Sequence, residues 1–331
     1  IGKIRGDGQY IVHDKNEEIV NAVASEVTKG FLYNRPYENP NNIFKEPELE
    51  KPSNFNEILI RIMSHENMAS RKPVYEKYDK QVQGRTYTES GISNSGVLSP
   101  FNSSDYPSEI RNIGIALSTD QNPRYGLISP YWVGVNATVE SMRNVASSGA
   151  TPHAITDCLC FGNPEKPKQM WEFVESTKGI SDVCKVITLK DHPGMPTPII
   201  AGNVSFYNES KSGAIPPSPI VSCLGRIKDV NKSISMSFKK NNSLILMVGK
   251  RKNELGGSIY YELFNELGAN VPKPDLEEVK NEIFSLTSCI DNELIISCHD
   301  ISDGGLSSTL SEMTFKNEIG CTINFKNHNL S

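Results

Sequence analysis

Between residues 113 and 224 the chain alternates short apolar runs with two long stretches whose apolar residues recur at helical spacing. That alternation restricts the fold to mixed α and β layers. The runs of strand length are 113–117, 154–159, 198–201 and 220–224. The first helical stretch, 131–148, carries Val135, Val139, Met142, Val145 and Ala146 along one side and stops at Gly149, and the second covers 169–186. A second region continues the pattern with strands expected at 243–248, 294–298 and 320–325 and helices at 258–267, 276–289 and 304–315. Upstream, residues 1–34 read as two short strands around a turn at Asp7-Gly8, followed by a short amphipathic piece. Residues 35–67 have the Pro- and Asn-rich composition of a linker, with one helical face (Phe55, Ile58, Leu59, Ile62) near its end. The expected division is 1–34, the end of a preceding domain; 35–67, a linker with a short helix; 68–228, a first full domain; and 229–331, part of a second. The start and the end in mid-alternation read as a piece of a longer polypeptide.

Charge and cysteine usage narrow the functional classes. A formal net charge of −5 with acids and bases interspersed offers no footprint for nucleic acid. No apolar run reaches the length of a membrane span, and the Ile1-Gly-Lys-Ile-Arg start lacks the pattern of a secretory signal. Seven cysteines, an odd count lying within apolar patterns, read as reduced thiols of a cytoplasmic protein. Cys158-Leu-Cys160 has no second Cys/His pair at zinc spacing.

Two strand-like runs open into loops dense in Gly, Asn, Asp and Ser: TPHAITDCLCFGNPEKP (151–167) and AGNVSFYNES (201–210). Such loops at strand ends are where α/β proteins place ligand chemistry. Asp157 stands at one strand end, and Gly202, Asn203 and Ser205 offer an unobstructed backbone, an amide oxygen and a hydroxyl. Glu140 and Asn144 are four apart on one helical face and can hold a hard cation such as Mg²⁺, although an isolated pair of this kind is more often plain surface. In His299-Asp300-Ile-Ser-Asp303-Gly304-Gly305 a strand end meets a glycine-opened helix, which suits phosphate, with Asp300 as a metal ligand. The bland alternative makes Asp303 an N-cap and His299 a satisfied buried residue. Glu254-Leu-Gly256-Gly257-Ser258 repeats the glycine pair, and Ser118–Tyr125 (STDQNPRY) reads either as a phosphate- or ribose-contacting loop or as a simple turn.

Together, VYEKYDKQV (74–82), STDQNPRY, VESMRNVASSGATP (139–152), ITDCLCFGNPEKP (155–167), AGNVSFYNES, ELGGS (254–258) and CHDISDGGL (298–306) resemble one family, the large synthetase subunits of phosphoribosylformylglycinamidine synthase. The resemblance covers nearly the whole chain. It implies an α+β fold: an aminoimidazole ribonucleotide synthetase-like N-domain, a mixed sheet with helices on one side, plus part of a C-terminal α+β domain, both from the second half of an internal duplication. It implies purine biosynthesis, with formylglycinamide ribonucleotide, ATP and glutamine-derived ammonia giving the formylglycinamidine ribonucleotide, ADP and phosphate. By the same resemblance Asp157 and Gly202 contact ATP, Asn203 binds Mg²⁺ and Ser205 contacts the ribonucleotide. Glu140, Asn144 and Asp300 match an auxiliary nucleotide–Mg²⁺ site.

The departures matter as much. Where the family's first half carries a T-H-N-H-P loop this chain has Thr119-Asp120-Gln121-Asn122-Pro123, and Lys80 stands for a usual His. Gln121 replaces a usual Gly, Cys160 a usual Asn, and Asn94 a family acid. No catalytic residue is expected in this chain, which alone should not turn over. The implied partners are the missing first half of the subunit, a glutaminase subunit and a small bridging subunit; the isolated piece can also pair with a second copy. Two alternatives stand beside this reading, a nucleotide-binding half with a purely structural role and a related synthetase of the same superfamily.

Overall fold

Lys15 (φ 45°) and Asn16 (φ 75°) both adopt the left-handed conformation that a two-residue hairpin turn demands. They join β1 (Gln9–Asp14) to β2 (Glu17–Val23) as an antiparallel pair in the computed structural model of the chain, which describes residues 1–30 and 32–324. The turn expected at Asp7-Gly8 therefore lies ahead of the hairpin, where the Gly8 carbonyl accepts from Ala24 N–H at 2.8 Å. Helix α1 (Ala24–Lys29) follows, and this small unit spans Ile1–Pro36.

The second unit, Tyr37–Ser331, holds the large sheet. Its elements begin with α2 (Phe55–Met63), capped by the Asn54 side chain, α3 (Lys72–Tyr75), β3 (Thr86–Thr88), β4 (Gly96–Leu98) and β5 (Gly114–Asp120). Next come α4 (Pro123–Ile128), α5 (Pro130–Ser147), β6 (Thr151–Cys160), α6 (Pro167–Val186) and β7 (Ile199–Ser205). A two-stranded ribbon of β8 (Glu209–Ser210) and β9 (Gly213–Ala214) leads to β10 (Ser218–Ile227), followed by α7 (Ile259–Glu262), α8 (Leu276–Asp291) and α9 (Gly305–Phe315). The sheet order is β3-β4-β5-β10-β6-β7, antiparallel throughout except for the β6–β7 pair, which α6 connects in parallel. No helix among the described residues is long and apolar enough to cross a membrane.

Strand β10 shows how the layers form. Pro219, Val221, Cys223, Gly225 and Ile227 alternate inward and are buried, so one sheet face is dry and the other half-exposed. Helix α5 lies on the dry face, with Val135, Val139, Met142 and Val145 in one core with Ile155, Val183 and Val221. Its other side meets α6 so closely that a Cβ at Gly134 would strike the Ser176 carbonyl, and one at Gly179 would sit 3.0 Å from the Val135 amide. Gly225 makes room beneath α5, because a Cβ there would lie 2.7 Å from the Ala150 methyl.

The last third departs from expectation. Residues 243–248 are irregular, with Leu244 90% and Leu246 79% exposed. Residues 294–298 make only an isolated bridge, Ser297 to Ser235, and 320–324 are irregular, Phe325 lying outside the described residues. A strand exists by virtue of hydrogen-bonded neighbours, and no described segment lies alongside these runs as a ladder. The helix expected at 258–267 ends after one turn as α7, because the chain reverses through Asn265 (φ 58°) and Gly268 (φ 77°).

Glu46 ties the linker to that reversal. Its carboxylate accepts from the Tyr261 hydroxyl at 2.8 Å and from the Ala269 and Asn270 amides at 2.8 and 2.5 Å. Burial alone would raise its pKa, but these three donors outweigh it and hold the carboxyl below its ordinary value. A depressed folded pKa stabilises above the unfolded value and is lost as pH falls through the folded one. Glu46→Gln should therefore cost on the order of 1 kcal/mol at neutral pH, discounted for solvent exposure, with the difference closing in acid. Urea midpoints of both proteins at neutral pH and at low pH check this.

Candidate functional site

The β6–β7 pairing places Asp157 opposite Gly202, Cys158 opposite Asn203 and Cys160 opposite Ser205. Facing residues on neighbouring strands share a sheet face, and successive residues alternate. Asp157 and Gly202 therefore lie on the helix-covered face with Val221, while Asn203 and Ser205 lie on the open face. The four residues singled out by sequence meet within a few register steps but on opposite sides of the sheet. The Asp157 carboxylate packs over the Gly202 backbone, where a Cβ would lie 2.5 Å from Oδ1. Burial raises the pKa of the half-covered Asp157 carboxyl. Beyond β7, Asn208 pins the turn by donating to the carbonyls of Phe161 (3.0 Å) and Ser205 (2.8 Å) and to Ser205 Oγ (3.0 Å). The sequence string contained Asn208, but only the folded turn shows that it orients Ser205. Cys158 Sγ and Cys160 Sγ stand 3.7 Å apart as free thiols on the open face.

Glu140, Asn144 and Asp300 come together elsewhere, in a cleft of about 300 Å³ also lined by Asn94, Asp120 and Asp303. Helix α5 presents Glu140 and Asn144 one turn apart, and β5 ends at Asp120. The segment before α9 brings Asp300 and Asp303, and α9 folds back so that Thr309 Oγ1 donates to the Asp300 carbonyl at 2.9 Å. Asp303 is not an N-cap: Gly304, left-handed at φ 77°, takes that position, and the Asp303 carboxylate accepts from Asn122 Nδ2 at 3.1 Å.

Carboxyls so close cannot all ionise cheaply. Burial, then the charges of Asp303 and Asp300, pushes Asp120 up to about 7. Glu140 is driven well above the usual carboxylate range, by burial first and by Asp120 next, and burial also raises Asp303. Asp300 differs. Burial would raise it as well, but His299 holds it below its ordinary value. His299 lies with Nδ1 3.1 Å from Asp300 Oδ1 and Nε2 2.8 Å from Glu312 Oε2. Those two carboxylates overcome its burial and lift it to about 9. In the sequence Asp120 stands out only as part of a loop, and Glu312 carries no signal at all. Nothing in the spacing of residues 299 and 312 reports that α9 folds back to join them.

The glycine pair at 256–257 has a packing role. A Cβ at Gly257 would lie 2.6 Å from Tyr125 Cδ1, and the amides of Gly256 and Gly257 already donate to the Asn270 and Leu267 carbonyls at 2.9 and 2.7 Å. These N–H groups are not available to phosphate. Among the described residues no three His, Cys, Asp or Glu side chains converge as a metal-binding group.

A mixed sheet with helices on one face and glycine-marked strand ends defines the class. The N-terminal domain of AIR synthase related proteins matches residues 105–227, and their C-terminal domain matches 239–330, so the chain belongs to the AIR synthase related family. Along its length it is similar to the phosphoribosylformylglycinamidine synthase subunit PurL. It is 42% identical to that of Methanothrix thermoacetophila over 98% of this chain and 41% of the relative, and 36% identical to that of Bartonella tribocorum over 96% and 41%. The chain thus spans about two-fifths of the length of these relatives. Among solved structures, Thermotoga maritima PurL complexed with FGAR superposes with a TM-score of 0.54 at 18% identity, covering 92% of this chain and 40% of that one, and shares its fold.

Proposed function

We propose that this chain forms part of the second half of a phosphoribosylformylglycinamidine synthase synthetase subunit and supplies one wall of its nucleotide and ribonucleotide site. The observation that carries the reading is the similarity to PurL subunits along 98% of the chain. In this reading Asp157 and Gly202 belong to the ATP subsite, the Gly202 backbone meeting the nucleotide on the side of Asn203 and Asp157 supporting it from the helix-covered side, and Ser205, held by Asn208, contacts formylglycinamide ribonucleotide. The substrate amide oxygen takes the γ-phosphoryl group of ATP, releasing ADP, and ammonia from glutamine then displaces phosphate to leave the amidine. Binding and charge placement are the work of these residues, as phosphoryl transfer requires.

Asn203 suits Mg²⁺ as a single hard oxygen donor on the exposed β7, since Mg²⁺ takes few protein ligands beside phosphates and water. Bound there with the nucleotide, the ion would neutralise charge on the transferring phosphoryl group. Proton transfer is assigned to residues outside this chain, because Asp120 to Pro123 and Lys80 offer no histidine where the family carries one. The whole protein is proposed to work in the cytoplasm with a glutaminase and a bridging subunit, and this chain alone is proposed to be inactive.

The test is ADP release by the full-length protein given ATP, Mg²⁺ and an ammonium salt. Release that depends on formylglycinamide ribonucleotide is expected. Release that instead depends on the formylglycinamidine ribonucleotide would overturn the reading in favour of the related aminoimidazole ribonucleotide synthetase.

A further inference from the structure

We infer that the Asn94 side-chain amide takes the place of a divalent cation in the acidic cleft, clasping Asn144 to Asp300 without metal. Asn94 Nδ2 donates to Asn144 Oδ1 at 3.2 Å and to Asp300 Oδ1. These are two of the three side chains that the family resemblance assigns to an auxiliary metal ion. An oxygen lone pair engaged by an N–H is not directed at a cation, and one amide nitrogen carries two N–H groups, enough for both partners. The orientation follows from the acceptors. The Asp300 carboxylate can accept but not donate, so turning the Asn94 amide over would set its oxygen against Asp300 Oδ1 whichever way Asn144 is turned. The consequence is that Asn94 Oδ1 is buried with no hydrogen-bond partner.

The strap that carries Asn94 is fixed on both sides. Ser93 Oγ and Ser95 Oγ lie 2.6 and 2.7 Å from Ser148 Oγ at the end of α5, and Val97 beyond them is fully buried. The amide is therefore delivered to the cleft by rigid structure. What it joins is the α5 face and the 298–303 segment that leads into α9. The cleft in this reading is a joint between the two matched domains. The inference does not rest on the proposed function, which places its cation at Asn203 on the other strand pair.

Mn²⁺ alone, without nucleotide, is the probe. The quantity read by electron paramagnetic resonance is the Asp300-dependent equivalent of bound Mn²⁺: each protein minus its Asp300→Asn counterpart. The parent protein should show none, and its melting midpoint should be the same in a chelator as in millimolar Mn²⁺ once any Asp300-independent contribution is subtracted. Asn94→Asp exchanges the double donor for a further carboxylate, so it should bind one Asp300-dependent equivalent and melt lower in chelator than in Mn²⁺. Asn94→Ala should melt lower than the parent in both and gain no ion. If Asn94→Asp folds only with Mn²⁺ present, unfolding on chelation counts as the same result. An Asp300-dependent ion in the parent protein, or Asn94→Asp indifferent to Mn²⁺, would overturn the inference.

Discussion

Asn203→Ala and Ser205→Ala, each made in the full-length protein, are expected to cut turnover by about 10²-fold or more, the scale of losing a positioned electrostatic contact. Folding should be spared. Both side chains lie on the open face of the β6–β7 pair, Asn203 is exposed, and neither belongs to the core beneath α5. Removing the Ser205 hydroxyl costs only its hydrogen bonds with Asn208, which keeps its bonds to the Phe161 and Ser205 carbonyls. Unchanged melting with turnover reduced on this scale is the expected pair of results. Near-normal turnover in both variants would leave the structural-half alternative standing.

The second large effect concerns the scaffold. Helices α5 and α6 cross through Gly134 and Gly179, and each glycine faces backbone of the other helix: Ser176 for Gly134, Tyr131 and Val135 for Gly179. Backbone cannot rotate aside as a side chain can, so a branched substituent must drive the helices apart. Ser176 Oγ, which donates to the Pro130 carbonyl at 2.9 Å, would lose that bond as well. Overpacking of this kind costs about 1–3 kcal/mol and sometimes more, and the buried hydrogen bond adds about 1 kcal/mol. Gly134→Val and Gly179→Val should each lower stability by about 3 kcal/mol or more, read as a fall in the urea midpoint. A loss below about 1 kcal/mol would contradict the helix contact.

The scaffold was the more legible part of this sequence. The periodic stretch at 131–148 became α5, 169–186 became most of α6, and the apolar runs became β5, β6, β7 and β10, because local pattern and burial agree there. Pattern failed where structure depends on a neighbour. The apolar run at 243–248 has every local mark of a strand, yet a strand needs a paired edge and none of the described residues supplies one. The hairpin turn was displaced to Lys15-Asn16, residues that give a weaker turn signal than Asp7-Gly8.

The site was legible in part. The proximity of Asp157 to Gly202 could be anticipated from two strand ends, but the alternation that sends Asn203 and Ser205 to the opposite face depends on pairing register, which one strand alone does not encode. Likewise the i, i+4 spacing of Glu140 and Asn144 is visible in sequence. Their meeting with Asp300, more than 150 positions along the chain, and with Asn94, 50 positions before Asn144, needs the fold.

If the β6–β7 pair is a wall of the nucleotide and ribonucleotide site, ligands should shield its backbone. Hydrogen exchange on the full-length protein, with and without Mg²⁺, a non-hydrolysable ATP analogue and formylglycinamide ribonucleotide, tests it most directly. Slowed exchange is expected in peptides covering residues 157–163 and 202–208. Protection confined to the 299–305 segment and α5, with β6 and β7 unaffected, would contradict it.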